Sequence, residues 1–374
     1  MSDGRPEDMT ADSWQEHPHN RWAYQHIDDV LRTVTIPHGP TVLELSQGEP
    51  LAVEGLDDEL EALSTDGLVV LRGREVMLER YLNGMSPGTP HLLQSVTKSM
   101  LSAVFSPFVA GGLIDVLAPV GAYVPELRAS AFGDALVQHA LDMTVAVAYD
   151  ETYDDPDSDV NRHDRASGWK APRPGDARSI PEFLASLPKN GEHGRRWQYC
   201  SANTDVLAWI LERVTGRRYT DILSTDLWGR IGAESDAYVT VDRSGFPMAN
   251  AGACVTLRDL ARFGRVVLDG GVGPTGDPVI PPEWVADIRR GGARTDSEAD
   301  LRAVHPNGSY RNQFWVSGDE RGSFYGVGIH GQYVWMDPTA DVVVAKLSSL
   351  PAADDPTSWA EHVAFFTALC REYV

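Results

Sequence analysis

The sequence predicts an α/β chain of the α+β kind: strands from both ends build one antiparallel sheet flanked by helices, and a mostly helical lobe is inserted between them. Three observations carry this expectation. β-rich runs occur early, in "DGLVVLRGREVMLERYL", and late, in "FYGVGIHGQYVWMD" and "DVVVAKLSSL". The long interval between them, from about Asp115 to Gly270, reads as helical segments divided by polar loops. The chain then closes on "DPTSWAEHVAFFTALCREYV", which reads as a helix with Pro356 near its start.

The elements follow in order. Residues 1 to about 20 form a polar, acidic arm, and one domain spans 21–374. Within it, a sheet lobe covers about 21–95 and 271–374, and a helical lobe about 96–270. The early β-rich pair is joined at Arg72-Gly73, a hairpin signal. "SVTKSMLSAVFSPFVAGGL" carries apolar residues at helical spacing, with Pro107 inside it and Gly111-Gly112 closing it. The Asp-, Pro- and Arg-rich stretch Tyr149–Asp176 is too long for a mere connector and points to a site. "SANTDVLAWILERVTG" is an amphipathic helix that Ser201 or Asn203 can cap and Gly216 ends. The two late runs form a hairpin about Pro338.

Composition narrows the function classes. The chain of 374 residues is 42% hydrophobic, enough for a large core. Its formal charge of −22 sets it against nucleic acid and anionic membrane as partners. No apolar run approaches the roughly 18 residues of a membrane span. The polar N-terminus lacks the basic-then-apolar pattern of a signal peptide, so the cytoplasm is expected. Cys200, Cys254 and Cys370 show neither a disulfide framework nor a zinc spacing, and neither metal nor cofactor is expected.

Several strings are set aside. "GMSPG", Gly84 to Gly88, has the Gly-x-Ser-x-Gly form, but a nucleophile elbow needs an N–H from the residue after its serine, and that residue is Pro87. "GVGPTG" and "GVGIHG" lack the strand-then-helix context of a dinucleotide site.

Ser95-Val96-Thr97-Lys98 is the useful signal. Residues three apart share a helix face, so the Lys98 amine can reach the Ser95 hydroxyl. At the helix start the Ser95 N–H is an unpaired donor, suited to an oxyanion. Alone, the pattern equally describes a helix cap and a surface lysine. Tyr199-Cys200-Ser201, just before the amphipathic helix, adds a phenol able to pass a proton to a leaving group; by itself it would read as a core tyrosine. Gly326-Val327-Gly328-Ile329-His330-Gly331-Gln332 adds a glycine-rich strand, a mark of close backbone approach by a substrate or by tight packing.

In this order and spacing the three parts resemble the serine β-lactamase and penicillin-binding protein family, in its class C and esterase branch. More narrowly the chain is similar to the 6-aminohexanoate-dimer (nylon-oligomer) hydrolases, through "SWQEHPHNRWA", "HLLQSVTKS", "HDRASGW", "YCSANTDVLAWILERVTG", "GIHGQ" and "KLSS". The resemblance implies a β-lactamase-like fold, Ser95 as acyl-forming nucleophile, Lys98 as base and Tyr199 as proton relay. It implies an oxyanion hole from the N–H groups of Ser95 and Ile329. It further implies that Tyr153 donates to the scissile amide, Asp164 receives an ammonium group, and Asn250 and Trp315 line the pocket. Two departures stand out: Ser201 replaces the asparagine of Tyr-x-Asn, and Lys-Thr-Gly has no literal copy. The expected partner is a small linear amide or ester, on a monomer or homodimer. A carboxylesterase with little amidase activity is the first alternative, and a non-catalytic penicillin-fold binding protein the second.

Overall fold

The computed structural model describes residues 4–294 and 299–373, so the first three residues of the polar arm lie outside it. Its centre is a nine-stranded sheet in which N- and C-terminal segments alternate. Strand Thr65–Arg72 pairs with Glu75–Tyr81 through a two-residue turn at Gly73-Arg74, and on its other side with Val342–Ser348. Beyond that lie Gln332–Asp337, Phe324–Gly328, Phe314–Val316, Ser309–Arg311 and Ala293–Arg294, all antiparallel. Among the described strands only the short edge strand Ser46–Gln47 runs parallel to its neighbour. Val69, Val70, Val343, Val344 and Ala345 are wholly buried on both faces, because helices cover both sides of the middle strands. Helix Leu257–Leu268 packs on one face; Gly264 permits this, since a Cβ there would lie 2.7 Å from Val334 and Val343. The closing helix Pro356–Arg371, capped by the Asp355 side chain, packs Phe365, Phe366 and Leu369 on the other.

Two expectations are refined. "FYGVGIHGQYVWMD" is two strands, not one: Phe324–Gly328 and Gln332–Asp337 pair across a turn at Ile329–Gly331, where His330 and Gly331 have φ of 61° and 88°. The interval between the sheet segments also supplies strands Ala237–Thr240 and Ala253–Val255. With Thr33–Ile36 and His91–Leu92 these form a four-stranded sheet, which their brevity hid from the sequence pattern. Among the described residues no helix is long and apolar enough to cross a membrane.

Candidate active site

Ser95 and Lys98 meet, as their spacing permits. Ser95 lies in a 3₁₀ turn, Gln94–Val96, that leads into helix Thr97–Ala110. The Lys98 amine donates to Ser95 Oγ at 2.8 Å and to the Asn250 carbonyl at 3.0 Å. Lys98 is 1% exposed, which settles the choice against a surface lysine. Burial draws its ammonium down to about 8, against the opposing pull of Glu151 and Asp205. An amine held this close to neutrality beside a hydroxyl is the arrangement that activates a serine.

The residue before the serine is strained. Gln94 has φ of 47°, the left-handed region that non-glycine residues avoid. Its buried amide holds that conformation by donating to Tyr24 Oη at 3.0 Å and Gln15 Oε1 at 3.2 Å. The N-terminal arm thus reaches the site: Trp14 is fully buried and donates to the Trp169 carbonyl at 2.7 Å.

Tyr199 precedes helix Ala202–Thr215 and places its ring 5.0 Å from the Lys98 amine. Burial and then Glu151 push its phenol above the ordinary range, while a hydrogen bond with Ser95 pulls it back. Trp315 stacks on the Tyr199 ring at 5.8 Å and 22°, so it both belongs to an aromatic core and fixes the phenol. Cys200 is a packed, inert thiol, pushed up by burial. Ser201 does not cap its helix. Its N–H and hydroxyl instead both donate to Glu151, at 3.0 and 2.5 Å.

The glycine-rich strand approaches the serine turn closely. A Cβ at Gly328 would stand 2.6 Å from the Leu93 carbonyl oxygen and 2.9 Å from the Ser95 nitrogen; one at Gly326 would meet Ser99 Oγ at 2.8 Å. The strand is also internal, although Phe314–Val316 covers only Phe324 and Tyr325. Close packing thus brings Gly328 alongside the Ser95 N–H.

Two cavities flank Ser95, of about 950 Å³ and 560 Å³. Ser95, Tyr153 and Ile329 line both; Asp164 and Asn250 line the larger, Tyr199 and Trp315 the smaller. The polar stretch after Tyr149 is not all loop, since Asp159–Ser167 is a helix capped by Ser158, and Asp164 sits on it. Arg162 and Arg165 pair with Asp159 and Asp176, so neither occupies Asp164, which accepts from Gln15 Nε2 at 3.3 Å. Burial raises the Asp164 carboxyl to about 6. Asn161 donates to the carbonyls of Tyr153 and Asp155 at 2.9 and 2.7 Å, which fixes the loop carrying Tyr153. The Tyr153 hydroxyl donates to Glu151 Oε1 at 3.1 Å. Asn250 reaches the cavity, but its side-chain amide is held by Asp205 at 2.6 Å; its carbonyl contact to Lys98 is its closest link to the chemistry.

The sequence pattern missed Glu151. It joins Tyr153, Ser201 and the field around Lys98, yet in sequence it is one of several acidic residues in a polar stretch, with no spacing to single it out. Because Glu151 holds the Lys98 ammonium up, Glu151→Gln is expected to lower the Lys98 pKa further. The rising limb of activity against pH then moves to lower pH; an unmoved limb in the kcat/KM profile would count against this role.

The comparisons with known proteins agree with this geometry. The beta-lactamase family model matches residues 54–366. The chain is 45% identical over 354 residues to a 6-aminohexanoate-dimer hydrolase of Paenarthrobacter ureafaciens, covering 92% of this chain and 89% of that protein. A solved structure from Bacillus anthracis, whose name as a 6-aminohexanoate-dimer hydrolase is provisional, superposes with a TM-score of 0.88 at 25% identity, over 98% of this chain and 97% of the other. A family VIII carboxylesterase shares the fold at a TM-score of 0.61 and 16% identity, over 86% of this chain and 99% of its own. A family match that begins before the buried Ser95–Lys98 pair and runs into the closing helix leaves one assignment: the chain belongs to the beta-lactamase family of serine hydrolases.

Proposed function

We propose that the protein hydrolyses short linear amides and esters through an acyl-enzyme on Ser95, the 6-aminohexanoate linear dimer among them. The observation that carries this reading is the 2.8 Å contact from a buried, near-neutral Lys98 to Ser95 at the junction of two cavities. The 45%-identical relative named for that dimer supports the substrate.

Lys98 takes the Ser95 proton as Oγ attacks the carbonyl carbon. The oxyanion is received by the N–H groups of Ser95 and Ile329. Tyr199, bonded to Ser95, relays the proton to the leaving nitrogen or oxygen, and the bond to the leaving group breaks. Tyr153 turns from Glu151 to donate to the scissile amide. Water then attacks the acyl-enzyme, gives its proton back through the same groups, and releases the acid. An ammonium group on the acyl arm pairs with Asp164 in the larger cavity. The three free, buried cysteines fit a reducing compartment, and we place the enzyme in the cytoplasm.

The test is release of free amine from the linear dimer, with a short p-nitrophenyl ester in parallel. Turnover of the ester alone would leave a carboxylesterase. The substrate arm has its own check. Asp164 must be ionised to pair with an ammonium, so KM for the dimer is expected to rise as pH falls through about 6. Asp164→Asn should raise KM above about pH 6, where the wild-type carboxylate is ionised, and abolish that dependence. A neutral ester should show neither effect; if it shows both, Asp164 acts on the fold and not on the substrate's charge.

A further inference from the structure

The smaller cavity has a chemistry that a linear aliphatic amine does not explain. Its wall includes Trp197, Tyr199, Trp315, Tyr333 and Trp359. These rings hold one another. Trp315 meets Trp359 edge-on at 5.0 Å, meets Trp197 edge-on at 5.5 Å, and stacks on Tyr199 at 5.8 Å. Trp197, Trp315 and Tyr333 are almost fully buried, so the wall exists before any ligand arrives and loses little side-chain freedom on binding.

The position of the cavity identifies which half of a substrate enters it. Tyr199, the proton relay to the leaving atom, lines this cavity and not the larger one, whereas Asp164 lines only the larger. With the carbonyl over Ser95, the acyl arm points to Asp164 and the leaving group to the aromatic wall. Charge narrows the occupant further. The charged groups of the wall are the carboxylates Asp150, Glu151, Asp354 and Asp355 and the single guanidinium of Arg196. An anionic leaving arm such as 6-aminohexanoate therefore meets a surplus of negative charge.

Resting on the amidase reading above, we infer that the smaller cavity is a leaving-group subsite for uncharged aryl-bearing amines, so that amides of arylalkylamines are better substrates than carboxylate-bearing aliphatic ones. A flat ring offers offset or edge-on contact to the fixed rings at a centroid spacing of about 4.5–7 Å, which a flexible alkyl chain of the same carbon count does not.

The experiment compares three amides that share the 6-aminohexanoyl arm: the phenethylamide, the n-octylamide of equal carbon count, and the linear dimer. The phenethylamide is expected to exceed the octylamide in kcat/KM by roughly fivefold, the size of an aromatic contact beyond area burial, and to exceed the dimer as well. In Trp359→Ala the preference over the octylamide should shrink towards unity, and Trp359→Phe should keep most of it. Because the wild-type comparison decides the matter, a variant that fails to fold leaves the test intact. If the dimer is hydrolysed and the octylamide or the dimer matches the phenethylamide, the subsite is wrong and the amidase reading stands. If none of the three amides is cleaved while Ser95 still reacts with a fluorophosphonate, the amidase reading itself falls.

Discussion

Ser95→Ala is expected to lower kcat for amide and ester alike by a factor on the order of 10⁶, the loss seen when the nucleophile of a serine hydrolase is removed. Among the described residues, the neighbouring serines are already engaged. Ser99 and Ser102 are buried in the helix, with Ser99 Oγ donating to the Gln313 carbonyl and Ser102 Oγ accepting from Trp284. Ser201 is tied to Glu151. The substitution removes one oxygen from a site that is not a packing centre, and Lys98 keeps its bond to the Asn250 carbonyl. The thermal midpoint should therefore be little changed, and fluorophosphonate labelling should vanish. Retained turnover in a pure, folded sample would show that the acyl-enzyme forms elsewhere. The same labelling separates this protein from a non-catalytic binding protein of the same fold.

Lys98→Met is expected to cost about 10²–10⁴-fold in kcat/KM, the range for general acid–base catalysis by a positioned side chain. The pH dependence is the sharper signature. The base must be neutral, so wild-type activity should rise as pH increases through about 8, and that limb should be absent in the methionine variant. Stability should move the opposite way. The Lys98 ammonium ionises near 8 in the fold against about 10.5 in an unfolded chain. Folding is therefore penalised wherever the unfolded lysine holds a proton that the folded one resists, an effect of about 3 kcal/mol near neutral pH. The penalty is full below the folded value and fades as pH rises towards the unfolded one. Methionine removes it, so the variant should melt higher than wild type near neutral pH and lose most of that advantage near pH 10. A variant that melts lower at both pH values would mean that the contacts of Lys98 to Ser95 and Asn250 outweigh its burial. The trade of stability for a poised base is common where an active site buries a charge.

Much of this was readable from one strand of text. Alternation and glycine placement announced the hairpin at Gly73 and the strands about Pro338, because register and turn chemistry are local properties. The three-residue spacing of Ser95 and Lys98 puts them on one helix face, where they can meet, and the helix after Tyr199 ends at Gly216 as its pattern demands. What resisted reading was short or non-local. The four-stranded sheet is built from segments of two to four residues, too brief to show a period. The turn at His330 interrupts a run whose composition is uniformly that of a strand.

The sequence by itself determined the family, the fold class and the serine, lysine and tyrosine that face one another, since these depend on local spacing and chain order. Only the tertiary structure decided that Lys98 is buried and not a surface charge, that Glu151 rather than its acidic neighbours joins Tyr153 to Ser201, and that Ser95 stands between an acidic cavity and an aromatic one. The reason is physical. Burial, the direction of a carboxylate and the shape of a cavity arise from segments far apart in the chain, as when Gly328 closes on Leu93 and Ser95. The field that shifts a proton depends on those distances and not on neighbours in sequence.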